Sequence, residues 1–185
     1  MQIKKGRDRI VLILPFFGIV IKLPISHPIS VIKFFFFLIK DRKSFIKDGI
    51  KRIFFRFFTS RIGYGVGNFK DAMFGGMYSN WLEYLFWKRT KNPFLKPTYF
   101  SLFGLLNIQK YGKLCELEYI DFWFQLRELT KENVYDNPHH FSNPKNFTLE
   151  NGKLQLVDYG SVRVYRVIAK YGRKIATEFN PDYKK

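Results

Sequence analysis

Apolar positions change their period several times along the chain, and each change marks an element. Residues 9–14 (RIVLIL) and 18–23 (GIVIKL) are β-branched runs separated by Pro15, Phe16 and Phe17. They predict an antiparallel hairpin, with Pro24 and Pro28 stopping its second strand. From 31 to 58 the pattern becomes helical, as one long helix or as two divided near Gly49. There Phe45, Ile46, Ile50, Ile53 and Phe54 share one face, while Lys40, Lys43, Lys47 and Lys51 fall on another at helical intervals. Residues 61–76 hold Gly63, Gly65, Gly67, Gly75 and Gly76 and predict a loop or hinge. Their spacing matches neither the dinucleotide fingerprint nor the P-loop. A helix is expected over 79–90 with Ser79 as N-cap, ended by Pro93 and Pro97. Residues 98–109 read as a strand that turns at Tyr111-Gly112 and returns through 114–117, followed by a helix over 119–128. A loop over 133–146 precedes a hairpin around Asn151-Gly152 within 147–157, and a basic helix closes the chain over 161–178.

Composition narrows the class. With 46% hydrophobic residues and 22 Phe among 185, the chain is too apolar to remain disordered. One cysteine, Cys115, excludes an internal disulfide and a cysteine-based zinc site. Residues 31–39 are apolar but short and contain Lys33, well below the about 20 apolar residues of a spanning helix. No signal-peptide pattern is recognisable, and a cytoplasmic protein is expected. The net charge of +17 draws the chain toward polyanions: nucleic acid, a ribonucleoprotein or an anionic membrane surface. The Lys40, Lys43, Lys47 and Lys51 stripe is the candidate contact, against the plainer alternative of a solvated helix face.

Candidate chemistry concentrates in residues 139–160, HHFSNPKNFTLENGKLQLVDYG. Asn146 ends a loop, a hairpin with an Asn-Gly turn follows, and Asp158-Tyr159-Gly160 comes after its second strand. The hairpin returns Asn146 and Asp158 to one point, where their oxygens suit a hard cation such as Mg²⁺. The plainer alternative makes Asn146 a turn cap and Asp158-Tyr159-Gly160 a strand-ending turn.

This segment resembles the catalytic loop and metal-binding triplet of the protein-kinase-like superfamily, which includes aminoglycoside and lipopolysaccharide kinases. The resemblance implies that Asn146 and Asp158 are metal ligands and that ATP and Mg²⁺ are the cofactors. It also makes Lys22, in the run Gly18-Ile19-Val20-Ile21-Lys22, the phosphate-contacting lysine, with Glu83 as its acidic partner. Departures accompany it. His139 matches the loop's histidine, but Phe141 stands where the catalytic aspartate belongs, and phenylalanine cannot accept a proton. Asp136 is the nearby carboxylate that remains as a candidate base, although no spacing rule assigns it. No glycine-rich loop is recognised ahead of Lys22, the step from Lys22 to Glu83 is long, and an activation segment is not expected after Gly160.

The expected fold is α+β in a single domain. It comprises a hairpin (1–24), a basic helical insertion (25–78) and a reduced kinase-like core (79–185) closed by a C-terminal helix. The expected function is that of a degenerate, pseudokinase-like protein that binds nucleotide and Mg²⁺ with very weak or no phosphotransfer. The alternatives are a basic interaction protein for nucleic acid, a ribonucleoprotein or an anionic membrane, and an active small-molecule phosphotransferase using Asp136.

Overall fold

The computed structural model describes residues 1–40, 55–62, 67–136 and 138–184. The fold is α+β, with a five-stranded antiparallel sheet, several helices and a two-stranded hairpin. Strands β1 (Gln2–Lys5), β2 (Arg9–Leu14), β3 (Ile19–Pro24), β4 (Thr98–Ser101) and β5 (Asn107–Lys110) lie in the order β1-β2-β3-β5-β4. Helices are α1 (Pro28–Lys40), α2 (Phe69–Thr90), α3 (Tyr119–Thr130), the short α4 (Pro138–Phe141) and α5 (Val162–Glu178). Strands β6 (Phe147–Glu150) and β7 (Lys153–Leu156) form the second sheet.

The expected hairpin of β2 and β3 forms in the register Val11↔Lys22, with Gly18 in the left-handed conformation at its turn. The Asn-Gly hairpin also forms. Asn151 and Gly152 both have positive φ, as a two-residue primed turn demands, and this fixes the Phe147↔Leu156 register.

Several expectations need correction. A strand, β1, precedes Arg9; its sequence QIKK lacks an apolar face because all four residues are exposed. The helix expected from Ser79 begins at Phe69, capped by a reciprocal box in which Asn68 accepts from the Asp71 amide and Asp71 from that of Asn68. Gly75 and Gly76 therefore lie inside α2. A Cβ on Gly76 would meet the Asp8 carbonyl at 2.2 Å, so this glycine serves close helix–sheet approach rather than a hinge. The helix also runs through the boundary expected between 78 and 79. The long strand over 98–109 is two strands, with the chain reversing between Ser101 and Asn107 where Phe103 and Gly104 take positive φ. Leu114 makes only an isolated bridge to Thr148 rather than a returning strand. Finally, the loop over 133–146 contains α4 and two short 3-10 turns.

Gly63 and Gly65 lie outside the described residues, as do Lys43, Lys47, Lys51 and the alternative division near Gly49. Lys40 ends α1 and is exposed. Among the described residues no helix is long and apolar enough to cross a membrane.

The main core is built by helices and the two-stranded hairpin. Phe86 of α2, Phe122 and Leu126 of α3, Phe147, Leu154 and Leu156 of the hairpin, and Ile168 and Ile175 of α5 are all buried together. Each such burial contributes about 1.5–3 kcal/mol. Cys115 joins this core as a buried free thiol, and burial pushes its pKa up.

Candidate functional site

Alternation along the strands sets one face of the sheet over a cleft. Lys4 of β1, Arg9, Val11 and Ile13 of β2, and Val20 and Lys22 of β3 point the same way. The opposite wall comes from His140, Lys145, Asp158 and Gly160, and the volume of the open cleft is about 1010 Å³. That size suits a ligand of nucleotide dimensions.

Helix α2 is tied to the sheet by two buried amides. Asn80 Nδ2 donates to the Lys22 and Gly104 carbonyls at 3.3 and 3.0 Å, and Asn107 Nδ2 donates to the Asn80 carbonyl at 2.6 Å. Glu83 lies one helical turn beyond Asn80 and so faces the same strand. Its carboxylate is fully buried and accepts Lys22 Nζ at 2.7 Å. Lys22 Nζ also donates to the Val157 carbonyl at 2.6 Å, the residue just before Asp158. Burial lowers the Lys22 pKa, although Glu83 opposes that shift.

Asp158 is held in place by its neighbour in sequence. Tyr159 is fully buried, and its hydroxyl donates to the Lys96 carbonyl at 2.6 Å and meets Thr98 Oγ1 at 2.7 Å. Burial pushes its phenol far above the ordinary value. Gly160 packs against α2 so closely that a Cβ would meet the Ser79 carbonyl at 2.3 Å. With the tyrosine pinned and the glycine pressed on the helix, Asp158 is directed into the cleft.

Sequence reasoning missed Arg9. Its guanidinium donates to Glu83 Oε1 at 2.5 Å and Asn80 Oδ1 at 3.4 Å, and it pairs with Asp158. Burial alone would raise the Asp158 carboxyl, but Arg9, Lys22 and His140 outweigh it and hold the group well below its ordinary range. Burial likewise opposes the Arg9 charge, and Asp158 and Glu83 overcome it. The available signal was the strand period, since Arg9 shares its face with Val11, opposite Lys22.

Lys22, Glu83 and Asp158 thus meet through shared partners. Asn146 lies beside them: its backbone carbonyl accepts the Val157 amide at 2.8 Å, while its Nδ2 donates to the His140 carbonyl at 3.0 Å. His140 Nδ1 lies 3.8 Å from Asp158 Oδ2. Phe141 is fully buried in the core and does not line the cleft. Asp136 ends a 3-10 turn, and its side chain lies outside the described residues.

Comparisons with protein-family models, curated proteins and solved structures returned no match. The residues themselves therefore decide which groups fit. The cleft is net positive, since Lys4, Arg7, Lys110, Lys113 and Lys145 line it along with Arg9 and Lys22, against Asp8 and Asp158. Val11, Ile13, Val20 and Leu114 add apolar wall. An anion with an apolar planar end fits such a lining. A divalent cation fits poorly, because Asp158 and Glu83 already hold the Arg9 guanidinium. Among the described residues no group of three or more His, Cys, Asp or Glu side chains forms a metal cluster.

Proposed function

We propose that this chain is a degenerate member of the protein-kinase-like superfamily whose cleft binds a nucleotide polyphosphate, and that it acts by binding rather than turnover. The observation that carries this reading is the 2.7 Å Lys22–Glu83 ion pair between the third strand and the following long helix, above a cleft that Asp158 enters. In the kinase pattern a lysine on the third strand pairs with a helix glutamate, and an aspartate after a strand faces them. The first turn of the sheet, Gly6-Arg7-Asp8, borders the cleft where that pattern has its glycine-rich loop. Phe141 supports loss of turnover, since an apolar core side chain stands where a proton acceptor would contribute typically ~10²–10⁴ in rate.

A thermal-shift panel of ATP, ADP, GTP and inorganic triphosphate, run beside an ATP-hydrolysis assay, tests the reading. At a hundredfold excess over Kd, binding should stabilise the protein by about 2.7 kcal/mol, or roughly 5–11 °C. Absence of any shift overturns nucleotide binding. Robust hydrolysis abolished by Asp158→Ala overturns the non-catalytic reading and returns Asp136 to candidacy as the base.

A second reading is favoured by α1, which exposes Ile29, Ile32, Phe36 and Phe37 while burying Val31 and Leu38. With Lys33 and Lys40 on the same helix and a lysine-rich sequence after it, these side chains suit the interface of an anionic membrane. Phosphatidylserine vesicles should then co-sediment the protein, and Phe36→Ser with Phe37→Ser, or Lys43, Lys47 and Lys51→Glu, should release it. Equal recovery with neutral vesicles, or no effect of either set, refutes this reading.

A further inference from the structure

Arg9 is a largely buried charged group of the cleft to which the kinase pattern assigns no role. It lies at the start of β2 with its side chain 14% exposed, and one guanidinium spans Glu83 and Asp158. Lys22 sits on the other oxygen of Glu83. Two cations and two carboxylates therefore close a balanced cluster at the point where a metal-dependent site would keep carboxylate oxygens for its ion. Asp8, the other acidic side chain lining the cleft, is engaged by Arg7 at 2.6 Å. A dication arriving at Asp158 would find one carboxylate oxygen held by Arg9 and would sit beside two positive charges.

We infer that Arg9 takes the place of the divalent ion, so that the cleft binds the polyphosphate of a nucleotide without Mg²⁺. This inference rests on the nucleotide reading above. A guanidinium carries five N–H donors in a planar fork suited to phosphate. The bonds to Glu83, Asn80 and Asp158 use three of them. Arg9 lines the cleft, and its two remaining donors are the ones left for a phosphate there. Lys22 adds a second cation, and Lys4, Lys110 and Lys145 bias the field around it. The metal's two tasks, neutralising Asp158 and drawing in phosphate charge, then both fall to a side chain. A guanidinium cannot take over a third task, that of a Lewis acid bound to the transferring group, which agrees with binding in place of turnover.

Titration calorimetry of the wild-type protein with ATP, once in EDTA and once in excess Mg²⁺, tests the inference. The expected affinity in EDTA is within about twofold of that in Mg²⁺, or tighter. Arg9→Gln should weaken ATP binding in EDTA by about tenfold or more, and Arg9→Lys by less, because the charge remains. A wild-type protein that binds ATP only when Mg²⁺ is present overturns the role of Arg9 and leaves the nucleotide reading standing. Failure to bind in either buffer overturns the nucleotide reading and this inference with it. Manganese titration followed by electron paramagnetic resonance, without nucleotide, is independent of any variant's folding. No uptake by the wild-type protein is expected, and stoichiometric uptake lost in Asp158→Asn would overturn the inference.

Discussion

Replacing Glu83 by Gln should cost far more stability than removing Lys22, although the two form one ion pair. Glu83 is fully buried and neutralises two cations, with Lys22 on Oε2 at 2.7 Å and Arg9 on Oε1 at 2.5 Å. The amide that replaces the carboxylate keeps one acceptor, turns its NH₂ toward the other cation, and leaves Lys22, only 6% exposed, without a counter-charge. Breaking a buried pair in this way costs about 3–5 kcal/mol, or roughly 6–20 °C in Tm for a chain of this size. Lys22→Met removes a buried cation but leaves Glu83 paired with Arg9, and the Val157 carbonyl keeps its bond from Gln109 at 3.2 Å. Its cost should be that of a single hydrogen bond, about 1 kcal/mol. Urea unfolding of both variants, with unchanged m-values, measures the asymmetry. Equal costs for the two variants, or a Glu83→Gln cost under about 1 kcal/mol, would refute the shared-carboxylate cluster.

Asp158 has its folded pKa held below the ordinary 3.8. It therefore contributes stability that is present above that value and lost as pH falls through it toward the folded value. Acid unfolding curves should show this loss in the wild-type protein and a flatter acid limb in Asp158→Asn. Gly160→Ala forces a Cβ to 2.3 Å from the Ser79 carbonyl, and chemical denaturation should report a loss of about 1–3 kcal/mol. Phe141→Asp places a carboxylate at a fully buried core position, so it should lower stability by more than about 3 kcal/mol and yield no ATP hydrolysis. Gain of turnover by a folded Phe141→Asp protein would show that the position faces the cleft after all.

The strands around the cleft were legible where local chemistry was strong. Asn151-Gly152 announced its hairpin because only such residues accept two successive positive φ angles. The β-branched run carrying Lys22 announced β3, and the order of Lys22, Glu83, Asn146 and Asp158 suggested a common site. What escaped was set by tertiary packing. Strand β1 has no buried side chain to give it a period, and it exists because its backbone pairs with β2. Gly75 and Gly76 looked like a hinge because glycine's lack of a Cβ reads the same way in a loop and at a close helix–sheet contact. Arg9 is one of many cations in the sequence, and only the sheet register and α2 bring Glu83 and Asp158 to it. The position of Asn146 was expected from the hairpin, but its side chain turns its amide to the His140 carbonyl, a contact that no spacing rule foretells.

The most direct test of nucleotide binding in the Lys22–Asp158 cleft is a calorimetric isotherm for ATP on the wild-type protein and on Lys22→Met. Circular dichroism should first establish that both are folded. The expected result is saturable one-site binding by the wild-type chain and a loss of about tenfold or more in affinity in Lys22→Met, from removal of one charge-assisted phosphate contact. A wild-type protein that gives no saturable binding, or a Lys22→Met isotherm superimposable on it, would contradict the account.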